Sequence, residues 1–154
     1  MKKRILFLLL NCLATFGSVF GQALGTEGNP DIWSPPFSVS KSLLVTSHPT
    51  PAIRYWFTLT DPMDITISNC RSTLDYSAIT LLNSNYEEIA YDNGSSGLCT
   101  SGLAQVTVSC LPAGTYMINV YWDDSVGWLY TDITGDYPDI TRIARDVGEF
   151  ATPF

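Results

Sequence analysis

The chain has 154 residues, with 15 Asp and Glu against 8 Lys and Arg, one His and four Cys. Three of the basic residues, Lys2, Lys3 and Arg4, stand at the extreme N-terminus, and the remainder carries a charge of −10 rather than −7. So acidic a chain repels nucleic acid and anionic lipid, and one His with scattered Cys supplies no closely spaced zinc ligands.

Met1–Arg4 is a basic n-region, and Ile5 to Phe20 is an apolar stretch of signal-peptide length, too short to span a membrane comfortably. Val19-Phe20-Gly21 is the cleavage context, with Gln22 as first mature residue; Gly21-Gln22-Ala23 is a second option. Cys12 lies in mid-run after Asn11, which does not fit a lipoprotein signal. Residues 1–21 are therefore read as a signal peptide. The mature chain is expected to be secreted or on the cell surface, with no membrane insertion.

After a polar linker (22–30), strand-like runs follow at short intervals. They are Phe37–Val45, Ile53–Leu59, Met63–Asn69, Tyr76–Leu82, Glu88–Tyr91, Leu103–Ser109, Thr115–Tyr121 and Gly127–Ile133. In Met63–Asn69 the apolar Ile65 and Ile67 alternate with Asp64, Thr66 and Ser68, the period of a half-buried strand. His48-Pro49-Thr50-Pro51, Thr60-Asp61-Pro62, Asn83-Ser84-Asn85 and Asp92-Asn93-Gly94 separate the runs as turns. Leu111-Pro112-Ala113-Gly114 lies between the two runs of 103–121, and this segment reads as a β-hairpin. No stretch has a capped helical period. The expected fold is all-β: a two-sheet antiparallel β-sandwich of about eight strands over 31–134, jelly-roll-like or Ig-like. In the remaining tail (135–154), residues 145–154 echo 31–37, each running from Asp and an aliphatic residue to Pro-Phe. The echo reads equally as the opening of a second repeat or as chance.

Beyond the leader the Cys residues are Cys70, Cys99 and Cys110, which allows one internal bridge. Counting alternate strand directions places Cys70 and the loop holding Cys99 at one end of the sandwich, and Cys110 at the other. Cys70–Cys99 is thus the expected disulfide. Cys110 continues the inward parity of Val106 and Val108 and is expected to be buried.

Several pieces then fall in a familiar order. They are Tyr55-Trp56-Phe57-Thr58-Leu59, Pro62-Met63-Asp64-Ile65-Thr66-Ile67-Ser68-Asn69-Cys70, Leu74-Asp75-Tyr76, Leu81-Leu82-Asn83, Glu88-Ile89-Ala90-Tyr91-Asp92-Asn93 and Leu111-Pro112-Ala113-Gly114-Thr115-Tyr116. Together they resemble the bacterial pre-peptidase C-terminal domain of secreted proteins from Bacteroidetes-type bacteria, over roughly residues 30–134. The resemblance implies a non-catalytic β-sandwich that accompanies proteases or repeat-rich surface proteins.

Catalysis has little to work with. His48, between Ser47 and Pro49, has no Gly-x-Ser-x-Gly elbow to serve. Asp75, Asp92 and Asn93 share the rim with the expected disulfide and offer oxygen donors of the kind Ca²⁺ takes; turn capping is the favoured reading, and no cofactor is expected. Tyr121, Trp122, Trp128 and Tyr130 flank the acidic turn Asp123-Asp124-Ser125. Trp122, Trp128 and Tyr130 are the candidate binding residues, for a glycan or a protein surface, if the two Trp side chains point outward. The sequence thus points to an exported accessory module that binds or spaces within a larger secreted or surface system. The alternatives are a small carbohydrate-binding module and a stand-alone hydrolase-like effector.

Overall fold

The computed structural model describes residues 25–46, 52–100 and 102–139. The signal segment, His48 and the echo at 145–154 lie outside them.

The described residues form nine strands: β1 (Asp31–Trp33), β2 (Phe37–Val45), β3 (Ile53–Leu59), β4 (Met63–Ser68), β5 (Ser77–Asn83), β6 (Glu88–Asp92), β7 (Gln105–Leu111), β8 (Gly114–Trp122) and β9 (Gly127–Asp136). Each of the expected runs is present. The extra strand is β1, which pairs in parallel with β3. β9 runs on to Asp136, so Gly135 and Asp136 belong to the sheet rather than to the tail.

The strands make two sheets, a five-stranded one in the order β1-β3-β8-β5-β6 and a four-stranded one in the order β2-β9-β4-β7. Apart from β1 with β3, every pairing is antiparallel. The chain changes sheet at almost every connection, and β5–β6 is the one pair of consecutive strands that hydrogen-bond as neighbours. From β2 onward the two interleaved orders, 2-9-4-7 and 3-8-5-6, are those of a jelly roll, which decides between the two architectures left open above.

The hairpin expected over 103–121 is not formed. β8 has both edges occupied, by β3 and by β5, so it offers none to β7. β7 pairs instead with β4, and Pro112-Ala113 carries the chain across the sandwich from one sheet to the other. The Tyr116 hydroxyl donates to the Pro112 carbonyl at 2.7 Å and ties this crossing.

One core lies between the sheets. Phe57, Leu59, Ile79, Leu81, Ile118 and Val120 from the five-stranded sheet meet Met63, Ile65, Ile67, Leu129 and Ile133 from the four-stranded one. Burying a side chain of this size stabilises by about 1.5–3 kcal/mol. Trp33 stacks on Phe57 at 4.6 Å, which explains why so short a strand as β1 holds its place.

The disulfide is Cys70–Cys99, with the Cα atoms 5.1 Å apart. Cys110 departs from expectation: its thiol is free and exposed. Met63 faces Leu111, and Ile65 faces Val108, so β7 carries one residue more than β4 between those points. This β-bulge reverses the alternation, and Leu111 turns inward where Cys110 was expected. Cys110 adopts φ 53°, and its N–H donates to Asp64 Oδ1 at 2.6 Å.

Candidate functional site

Alternation along β9 sends Leu129, Thr131 and Ile133 into the core and Trp128, Tyr130 and Asp132 onto the outer face of the four-stranded sheet. On the neighbouring β2, Leu44 pairs with Trp128, Ser42 with Tyr130 and Ser40 with Asp132. Trp128 is 43% exposed, and its ring lies 6.2 Å from that of Tyr130, the planes 27° apart.

Arg71 completes this surface from the loop after β4. Its Nε donates to Asp132 Oδ2 at 2.6 Å, and one terminal nitrogen donates to Asp132 Oδ1 at 2.6 Å and to Ser40 Oγ at 2.8 Å. The guanidinium carbon sits 4.9 Å from the Tyr130 ring centroid, a cation–π arrangement. Burial alone pushes the Asp132 carboxyl up, but the hydrogen bonds from Arg71 and Ser40 and the Arg71 charge outweigh it and hold the group below its usual range. The same hydrogen bond and charge push the Arg71 guanidinium up.

The loop that carries Arg71 is fastened to β9. Asn69, fully buried, donates through Nδ2 to the Tyr130 carbonyl at 2.8 Å and to Thr131 Oγ1 at 3.2 Å. The Ser72 hydroxyl accepts from the Tyr130 N–H at 2.9 Å. Thr73 N–H donates to the Trp128 carbonyl at 2.9 Å, and its hydroxyl accepts from the Trp128 N–H at 2.8 Å. These bonds replace the strand ladder where β4 has ended, so Arg71 stands on a rigid support. Period-2 reading finds Trp128 and Tyr130; nothing in the sequence singles out Arg71, Asp132 and Ser40 as their companions.

Trp122 does not join this surface. It is 8% exposed and belongs to the core, because it has the opposite parity to Tyr121 on β8. Tyr121 faces outward, but on the five-stranded sheet. The turn 123–126 crosses between the sheets, so the four aromatics near it are divided between two outer faces and the core.

At the disulfide rim, Asp92 is 6% exposed and both its oxygens are engaged. Oδ2 accepts from the Gln105 N–H at 2.8 Å and the Ser96 hydroxyl at 2.9 Å, and Oδ1 accepts from the Ser96 N–H at 3.2 Å. Asn93 Oδ1 accepts from the Ser95 N–H at 3.3 Å. Both side chains cap the loop, as Asx residues do in turns. The Asp75 N–H donates to Ser125 Oγ at 3.4 Å. Among the described residues no group of three or more His, Cys, Asp or Glu is placed to hold a metal ion.

No family model matches the chain, and no curated protein matches it. Among solved structures, a periplasmic inhibitor of g-type lysozyme from Aeromonas hydrophila is similar at 14% identity and a TM-score of 0.47, over 69% of this chain and 98% of the inhibitor.

Proposed function

We propose that the chain is an exported, non-catalytic binding module of a larger secreted or surface protein system, and that it holds a protein partner through Trp128, Tyr130 and Arg71. The observation that carries this reading is the clamped Arg71, fixed between Asp132 and the Tyr130 ring beside a half-exposed Trp128. Trp, Tyr and Arg are the residue types that dominate binding energy at protein interfaces. Here they are pre-ordered, so little side-chain freedom remains to be lost on association. Export is supported by the basic and apolar N-terminus together with the Cys70–Cys99 bridge, since such bridges persist in oxidising compartments. The resemblance to pre-peptidase C-terminal domains supports a non-catalytic role.

The test is a photo-crosslinking residue at position 128 in the native host, with position 107 on the same sheet as control. The partner is identified by mass spectrometry, purified and titrated against Trp128→Ala and Arg71→Ala. Each substitution is expected to weaken binding by about 2 kcal/mol, a factor of about thirty. A partner that binds both variants unchanged refutes the assignment.

A further inference from the structure

Among the described residues each sheet has two edge strands, and three of these four edges are blunted. β1 has three residues and runs on into Pro35-Pro36. β6 has five residues and shifts register against β5, and β7 carries the bulge before Leu111. Short length, proline and bulges are the devices that keep foreign strands from pairing with an edge. β2 differs. Its nine residues stay in unbroken register with β9, and it contains no Pro, Asp or Glu. Among the described residues no strand lies on its other side. Alternate residues along it therefore direct both N–H and C=O away from β9.

Toward its far end β2 shows apolar side chains on both faces. Leu44 points outward beside Trp128 and is 51% exposed. Leu43 has the inward parity and pairs with the buried Leu129, yet it is 43% exposed. The edge strand of the other sheet on this side is β1, which meets β2 at the Phe37 end, where the Trp33 and Phe37 rings lie 4.7 Å apart. Adjacent residues exposed on opposite faces of one edge are what an added strand covers, since its own side chains alternate in the same way.

Lys41 decides which strand fits. It is the central residue of β2, at the inward parity, and pairs with Thr131. Two copies of β2 pairing antiparallel along their full length would set Lys41 opposite its counterpart, and like charges directly opposite are destabilising. Each copy is also strongly acidic as a whole, so the two repel at longer range. A foreign strand with a carboxylate opposite Lys41 and an apolar residue opposite Leu43 meets neither objection.

We infer that β2 accepts an extended segment of the partner protein as an added strand, with a carboxylate opposite Lys41 and an apolar residue opposite Leu43. This rests on the reading of Trp128, Tyr130 and Arg71 as a protein-binding surface, and it names the conformation in which the partner docks. The added strand continues two rows that start on β9, Trp128 with Leu44 and Tyr130 with Ser42. Its outward side chains thereby extend the Trp128 surface. Main-chain hydrogen bonds along β2 hold the segment, and the contacts at Lys41 and Leu43 select it.

The experiment places the photo-crosslinking residue at position 43 as well as at 128 in the native host. The partner so identified is then added to the purified protein, and amide hydrogen exchange is followed. The same partner is expected from both positions. Alternate amides of β2 should exchange readily in the free protein and slow on binding. Leu43→Lys and Lys41→Glu should each weaken binding about tenfold or more. The melting temperature of each variant checks its fold, and the exchange measurement on the wild type needs no variant. Five results would overturn the inference: no adduct from position 43, β2 amides already protected in the free protein, β2 exchange unchanged by the partner, a dimer of the free protein in sedimentation equilibrium, or unchanged binding in Leu43→Lys or Lys41→Glu. An adduct from 128 without one from 43 removes the added strand and leaves the Trp128 surface standing. Protection of β2 by a partner that Trp128→Ala binds unchanged does the reverse.

Discussion

Asp92→Ala removes the staple of the long loop between β6 and β7. The carboxylate accepts hydrogen bonds from the Gln105 N–H at 2.8 Å, the Ser96 hydroxyl at 2.9 Å and the Ser96 N–H at 3.2 Å, and the Gly94 N–H also stabilises its charge. The Ser96 groups can turn to water once released, but the Gln105 N–H opens β7 beside a buried side chain. Hydrogen bonds to a charged acceptor are worth about 1.5–3 kcal/mol each, and one full loss plus two partial ones come to about 3 kcal/mol. For a domain of roughly a hundred residues this lowers the melting temperature by about 10–15 °C, read by calorimetry at neutral pH. Asp92→Asn keeps the shape and one acceptor and should lose about half as much. The pH dependence is a second readout. Burial pushes the Asp92 carboxyl up, but the bonds from Gln105, Ser96 and Gly94 outweigh it and leave the group below its ordinary value. Its contribution is therefore full above the unfolded carboxylate value of about 3.9 and is lost as pH falls through the lower folded value. The gap between wild type and Asp92→Ala should be constant near neutrality and narrow only in acid. A drop of less than about 3 °C, or a gap that acid leaves unchanged, refutes the staple.

Replacing Cys70 and Cys99 together by Ser should lower unfolding stability by about 3–4 kcal/mol, the loop-closure value for a separation of 29 residues, measured by denaturant unfolding. Cys110 should react with a thiol reagent in the native protein without a denaturant; reaction only after unfolding would show it buried. Gly135→Ala would drive its Cβ into the Phe37 ring and to 2.8 Å from Met63 Sδ, and should destabilise by about 1–3 kcal/mol in urea. Arg71→Ala should change stability by less than about 1 kcal/mol, since the pair lies on an exposed face. It should nonetheless raise the Asp132 pKa, as followed by carboxyl NMR, and an unchanged titration would deny the clamp.

The strands were legible because the core imposes period 2 on them: Ile65 and Ile67 alternate with the half-buried, polar Asp64, Thr66 and Ser68. What alternation does not encode is the partner. A strand followed by Pro and Gly reads the same whether its successor pairs beside it or crosses to the other sheet, so the turn at Pro112 gave a hairpin where the chain makes a crossing. The disulfide survived that misreading because strand direction reverses at each turn in either case, which leaves Cys70 and Cys99 at one end. Cys110 failed for a local reason, since one extra residue in β7 inverts every parity beyond it. β1 was missed because three residues before a Pro-Pro pair carry no period, and it is placed by Trp33 on Phe57. At the candidate site the aromatics were visible, but Arg71 was not, because its position depends on a loop bonded to β9 some sixty residues away.

The division of the aromatics has a functional consequence. Tyr121 and Trp122 are adjacent, so a strand must send one outward and the other into the core. The next strand then belongs to the other sheet, so its outward residues, Trp128 and Tyr130, face the far side of the sandwich. Two packed sheets stand about 10 Å apart, and a ligand on one outer face neither touches nor blocks a ligand on the other. The jelly roll thereby turns one aromatic-rich segment into two independent surfaces with a rigid core between them. The surfaces also differ in kind. On the four-stranded sheet Arg71 is held by Asp132 against Tyr130 beside Trp128, whereas on the five-stranded sheet Tyr91 and Tyr121 stand half exposed beside the buried Thr80 and Asn119. A partner bound at Trp128 and Arg71 would therefore leave the outer face of the five-stranded sheet uncovered.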